Sequence, residues 1–267
     1  MLWQRTLTAL LMLAVLGAAL FALPLTGWWL FCAALASLAA WEWAGLLRLP
    51  QASRLSYASG AAVAAFSCCF ISSPLVDGVL FGLSGVFWIM VVPSWLRDRW
   101  KLGQGLLGLA LGLLVIIPAA LAVARLRQHS PWFLLSVMAI AWVADICAYF
   151  GGRSFGRHKL APTISPGKSW EGVWTGVLGV LLYASLVFAL ALPQIPARLS
   201  WPLSLVLVLA LTALSVVGDL FESMLKRQAG IKDSSNLLPG HGGVLDRIDS
   251  LTSTLPLVAL WAQVWMV

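Results

Sequence analysis

The side chains best equipped for chemistry are concentrated between Ser215 and Ser250, in SVVGDLFESMLKRQAGIKDSSNLLPGHGGVLDRIDS. Five of the ten acidic residues lie here: Asp219, Glu222, Asp233, Asp246 and Asp249. Lys226, Arg227, Lys232 and Arg247 are interleaved with them. Asp219, Glu222, Ser223 and Lys226 fall at i, i+3, i+4 and i+7, which is one face of a helix. Asp246 and Asp249 are three apart at the start of the next apolar run, so both can face one way. Two such faces can converge on one divalent cation. Mg²⁺ suits them, because it takes a few carboxylates and then substrate phosphates. Arg227 and Arg247 can fork onto phosphate oxygens. The turn Pro239–Gly240–His241–Gly242–Gly243 lets backbone come close to a ligand. His241 can donate a hydrogen bond either neutral or charged near pH 7. The alternative for the whole stretch is a solvated, salt-bridged loop.

A second polar stretch, GGRSFGRHKLAPTISPGKSWEG, runs from Gly151 to Gly172. Glycine turns and a helix start favour phosphate, and Arg153, Arg157, Lys159 and Lys168 add charge beside Ser169. Gly167–Lys168–Ser169 is not a P-loop: position 162 is proline rather than glycine, and no strand precedes it. The plainer reading is a basic loop that touches lipid phosphates. Three acids sit inside or at the ends of apolar runs, where an ionisable group is costly and needs a reason: Glu42, Asp145 and Asp219. All three lie near one membrane surface, as a site open to one side requires. A structural ion pair is the alternative for each.

The elements that must position these groups are membrane helices. The chain of 267 residues is 61% hydrophobic and 10% charged, against about 25% charged in an average soluble domain. That composition implies a single all-α, polytopic membrane domain, 1–267, with no separate soluble part. The N-terminal half, 1–124, would serve packing, oligomerisation and lipid access. The half 125–267 would be catalytic, with polar loops at 153–170 and 222–248. Nine candidate spans are 6–24, 28–47, 57–73, 75–93, 103–124, 131–152, 171–192, 201–221 and 249–267, the third and fourth separated only by Ser73–Pro74. This arrangement puts every one of the 17 cations except Arg125, Arg127 and Arg198 on one side. The positive-inside rule then places the N-terminus and both long loops in the cytoplasm and the C-terminus outside. The first run lacks a convincing cleavage site and reads as a retained helix. The net charge of +7 follows this topological pattern, which argues against nucleic acid as a partner. Cys32, Cys68, Cys69 and Cys147 lie in apolar runs and read as small packing residues. Trp28, Trp29, Trp132 and Trp201 read as interfacial anchors, and the glycines at 103, 105, 108 and 112 and at 172, 176 and 179 as close-packing faces.

Ser223, Lys226–Arg227, Lys232–Asp233, Ser235, Pro239, His241–Gly242–Gly243, Asp246–Arg247 and Asp249 resemble the signature of the phosphatidate cytidylyltransferase (CDP-diacylglycerol synthase) family. That pattern reads S-x-φ-K-R-x4-K-D-x-small-x2-φ-[PG]-x-H-G-G-φ-x-D-R-φ-D, where φ is apolar, and every position is met. The stretch from Asp145 through Ser169 is also similar to the family, as is Glu42–Trp43, although Ile146–Cys147 replaces small residues. The resemblance covers the C-terminal half well and the N-terminal half loosely. It implies transfer of CMP from CTP to phosphatidate with Mg²⁺, a second monovalent cation being left open. It also implies a bacterial inner membrane location and, with the glycine faces, a homodimer. On this reading Asp219, Asp246 and Asp249 hold metal. Lys226, Arg227, Arg247, Lys168 and Ser169 hold phosphates, with His241 beside them. Ser223, Arg153, Arg157, Lys159, Gly242, Gly243 and Asp145 border the substrate. A transporter would call for inverted repeats and acids through the membrane depth. A CDP-alcohol phosphotransferase would call for D-G-x2-A-R-x8-G-x3-D-x3-D. Neither pattern is present.

Overall fold

The computed structural model describes residues 2–191 and 201–265. Arg198, one of the three exceptions to the charge bias, lies outside them. Ten α-helices follow one another: α1 (Leu2–Ala22), α2 (Leu25–Leu46), α3 (Gln51–Ile71), α4 (Pro74–Val86), α5 (Val92–Asp98), α6 (Leu106–His129), α7 (Pro131–Phe155), α8 (Trp170–Ala191), α9 (Trp201–Gln228) and α10 (Leu245–Trp265). A π-helical turn, Phe87–Val91, joins α4 to α5 in one rod. Eight rods among the described residues are long and apolar enough to cross a membrane. The fold is therefore all-α and polytopic, as composition indicated. The one addition is an antiparallel hairpin in the loop after α7, β1 (Lys159–Ala161) and β2 (Ser165–Ser169), with Lys159 opposite Ser169.

Local chemistry explains the helix borders. Ser73 and Ser130 cap α4 and α6's successor α7 by accepting from the N–H groups of Val76 and Phe133, with Pro74 and Pro131 in the first turns. Proline fits a first turn because its missing N–H would be unpaired there anyway. Ser73–Pro74 is thus enough to separate two helices.

The ninth rod, α10, is the polar exception. It has the 21 residues needed to span. It packs against α9, α6, α4, α7 and α2 and is buried along most of its length. Being shielded from lipid, it can carry polar side chains if they are satisfied. Thr252, Ser253 and Thr254 donate to carbonyls of Asp249, Leu214 and Ser250 respectively.

α9 is seated by aromatic rings. Phe221 meets Phe87, Trp88 and Trp95 edge-on, with centroids 5.5–5.7 Å apart. Such edge-to-face pairs are worth about 0.5–1.5 kcal/mol each beyond burial. They fix the turn that carries Asp219 and Glu222.

At the opposite surface, Arg125 and Arg127 are consumed by the fold. Arg125 Nε lies 2.6 Å from Asp77 Oδ2, and its other nitrogens donate to the carbonyls of Cys68 and Cys69 at the end of α3. Arg127 donates to the carbonyls of Leu20 and Leu23 at the end of α1. Helix ends leave such carbonyls unpaired, and cations complement them. Asp77 is buried in the first turn of α4. Trp28 is no interfacial anchor: it is fully buried, with Arg127 stacked on its ring. Most glycines of the two faces are also spent within the chain, Gly105 excepted. Gly112 faces Trp43 and Tyr57 across the α2–α3–α6 contact, and Gly172, Gly176 and Gly179 lie against α7. They give a homodimer no support.

Candidate functional site

The polar groups meet where α2, α7, α9 and the start of α10 come together. α9 remains helical through Gln228, so Asp219, Glu222, Ser223 and Lys226 share a face as their spacing requires. α10 begins at Leu245, which puts Asp246 and Asp249 in its first two turns. Five carboxylates from three helices then face two ammonium groups.

The first half of the site is open. Lys168 Nζ, from β2, lies 2.5 Å from Asp219 Oδ2, and each side chain keeps about a quarter of its surface exposed (25% and 24%). Ser223 donates to Asp219 Oδ1. Asp145 of α7 and Asp249 of α10 are close enough for their charges to act on Asp219 and on each other. Ser250 donates to Asp145 Oδ2 at 3.5 Å. Arg247, exposed, contributes favourable charge to Asp145.

The second half is closed. Lys226 Nζ lies 2.5 Å from Asp246 Oδ1 and 3.0 Å from Glu222 Oε1. Asp246 Oδ2 accepts from Ser234 N, Ser234 Oγ and Gly243 N, each at 2.8 Å. Glu42, fully buried on α2, lies beyond it. Its carboxylate accepts from Ser235 Oγ and from the N–H groups of Val244 and Leu245, and lies 3.0 Å from the Ser234 hydroxyl, whose one proton goes to the nearer Asp246. A carboxylate at a helix start meets both the unpaired N–H groups and the positive end of the helix dipole. Glu42 therefore caps α10 from another helix and brings the first half of the chain into the site.

This geometry changes what the glycines do. Gly242 has φ +81°, and a Cβ there would press on Asp246 Oδ2. A Cβ at Gly243 would fall on Ser234 Oγ and Glu42 Oε1. The close approach they permit is to the protein's own carboxylates. His241 stands beside them with a buried Nδ1 that has no hydrogen-bond partner among the described residues.

Other expected residues sit at the edge. Ser169 is buried and accepts from Gly172 N, so it caps α8 under Gly152 and Gly156. Arg227 is exposed and donates to Ile231 O at 3.3 Å, closing its own helix end. Arg153 donates to the Tyr149 hydroxyl, and Arg157 and Lys159 are exposed along the hairpin. His158 closes that hairpin onto Glu171, Nδ1 to Oε1 being 2.6 Å.

Glu222 belongs in the site although only its spacing marked it. It is buried between Lys226 and the Asp249 charge, and neither of its oxygens makes an aligned hydrogen bond among the described residues. No three acidic, histidine or cysteine side chains among the described residues are gathered in metal-ligating geometry. The donors are nevertheless of the type a hard cation takes: carboxylate oxygens outnumber ammonium groups, and Glu222 Oε2 is buried with no partner among the described residues. Lys168 and Lys226 serve as counter-cations to them.

Fold and site define an all-α polytopic membrane protein with a carboxylate–lysine centre at one surface. Residues 3–265 match the cytidylyltransferase family. The chain is 43% identical to a phosphatidate cytidylyltransferase of Pseudomonas aeruginosa over 99% of both chains. It is 37% identical to one of Haemophilus influenzae over 96% of both. A chloroplastic phosphatidate cytidylyltransferase of Arabidopsis thaliana is 47% identical over 42% of this chain and 27% of its own. The chain belongs to the cytidylyltransferase family, and it is a nucleotidyltransferase of that family.

Proposed function

We propose that the protein transfers CMP from CTP to phosphatidate, giving CDP-diacylglycerol and pyrophosphate. A lipid phosphate oxygen attacks the α-phosphorus of CTP, and the bond from that phosphorus to the oxygen bridging the β-phosphate breaks. The nucleophile is already an anion near neutral pH, so no general base is required. That accords with a site that has no serine–histidine or cysteine pair. The obstacle is repulsion between two anions, which positioning and cationic groups lower.

Lys168 and Arg247 stand on the open side, where they can hold phosphate oxygens. Lys226 is committed to Asp246 and Glu222 and holds the loop before α10 in place. His241, in the turn before α10, would donate to phosphate through its other ring nitrogen, Nε2. Mg²⁺, when bound, would neutralise the α-phosphate and the leaving pyrophosphate. Asp219 and Asp249 are the residues to hold it. Asp246 would join only by exchanging Lys226 for the ion.

The observation that carries this reading is the Lys168–Asp219 contact. It joins the two polar stretches that the sequence marked, in a chain aligned end to end with relatives of that name. We further propose that this surface is cytoplasmic, with the C-terminus on the other side, since CTP is a cytoplasmic nucleotide and the cations favour that side. The first test is pyrophosphate release by purified protein given CTP, phosphatidate and Mg²⁺, with ATP as control. Release that is equal with ATP, or independent of phosphatidate, contradicts the proposal. For topology, a tag in 153–170 should be shielded in intact cells and a C-terminal tag accessible.

A further inference from the structure

On the same surface as the site, but on another face of α9, lies a cavity of about 400 Å³. Leu46, Leu47, Leu102 and Leu225 supply apolar wall, and Arg48 and Lys101 supply charge. No acidic residue among the described residues lines it. The spans α2 and α9 end here and α6 begins just beyond, so it opens at headgroup depth.

The cavity is built into the fold. Gln228, at the end of α9, accepts from Leu102 N and donates to Trp100 O, at 2.9 and 2.8 Å. Those two bonds fasten the loop between α5 and α6 as a wall. Arg48 sits in the left-handed region at φ +56° because it closes the end of α2, where Arg48 N and Leu49 N donate to Gly45 O and Ala44 O. The reaction centre described above does not need it. Its guanidinium has one hydrogen bond among the described residues, from Nη2 to Ala229 O at 3.1 Å. The remaining donors of the fork are left for a ligand. Lys101 has no carboxylate partner among the described residues.

We propose that this cavity binds the phosphate headgroup of an anionic phospholipid that is not the substrate. The leucine wall takes the glycerol and first acyl carbons, and Arg48 and Lys101 take the phosphate. Location at the ends of three spans selects a lipid over a soluble phosphate ester. Cations close to a membrane surface attract anionic lipid.

The test is the melting temperature of the full-length protein in non-ionic detergent. Titrants are phosphatidylglycerol, phosphatidylcholine and glycerol 3-phosphate. Phosphatidylglycerol should raise the melting temperature by several degrees, and the other two should not. In the pair Arg48→Gly with Lys101→Gln, the midpoint of that titration should move to about thirtyfold higher lipid. Glycine is at ease in the left-handed region, so the variant should fold. Lys101→Glu alone, a charge reversal in an exposed loop, checks the same point. CTP turnover at saturating phosphatidate should be unchanged in both, which separates this cavity from the reaction centre. An unaltered phosphatidylglycerol response in the variants overturns the site. An equal response to phosphatidylcholine overturns the charge argument, and one to glycerol 3-phosphate overturns the choice of a lipid.

Discussion

Two lysines meet carboxylates in this protein, and they do so in different surroundings. Lys226 and its partner Asp246 keep only 10% and 3% of their side-chain surface exposed, and every oxygen of Asp246 is engaged. Lys168 and Asp219 keep 25% and 24%, with few other bonds. The closed pair is costly to disturb, because removing one partner strands a buried charge. The open pair is screened and can exchange partners at little cost. The closed pair therefore builds the loop before α10, and the open pair is where, on the proposed function, substrate phosphates and a metal ion would enter.

Breaking the closed half should have the largest effect. Lys226→Met leaves Glu222 and Asp246 facing each other, and should cost ~3–5 kcal/mol of stability. Thermal denaturation in detergent would show this as a large fall in melting temperature, with activity lost in parallel. Gly243→Ala drives a methyl into Glu42 and Ser234 and should lower stability by about 1–3 kcal/mol. A melting temperature equal to the parent's would mean that the loop is looser than described. Ser169→Ala removes the cap of α8 and should cost about 1 kcal/mol while leaving turnover within a few-fold. Loss of activity with unchanged melting would instead return Ser169 to the substrate. Arg227→Ala should have the smallest effect, within about twofold in turnover, because its side chain closes only its own helix end. A fall in CTP affinity of tenfold or more would place Arg227 on phosphate.

Much of the frame was legible from sequence. Runs of about 20 apolar residues located the rods, and i, i+3, i+4, i+7 spacing put Asp219, Ser223 and Lys226 on one face. What spacing could not give was who meets whom across the fold. Lys168 and Asp219 are 51 positions apart, and only the hairpin Lys159–Ala161/Ser165–Ser169 turns the lysine back onto α9. Glu42 was marked as an acid in an apolar run, but its partners are about 200 positions away. Composition also could not show that α10 is shielded from lipid, and that burial explains its polar residues. Glycine in His241–Gly242–Gly243 signalled a close approach correctly, while the approaching groups turned out to include Asp246 and Glu42. Arg125 and Arg127, exceptions to the charge bias, are explained by helix ends that sequence does not display.

The central claim is that the open half performs the chemistry and the closed half holds it in place. It is tested most directly by Asp219→Asn, measured in parallel for pyrophosphate release and for melting temperature. The substitution keeps size and one acceptor but removes the charge that faces Lys168. The account predicts that CTP- and phosphatidate-dependent release falls by at least about a hundredfold while the melting temperature moves by no more than a few degrees. Wild-type turnover by Asp219→Asn, or a melting temperature that collapses as for Lys226→Met, would contradict it.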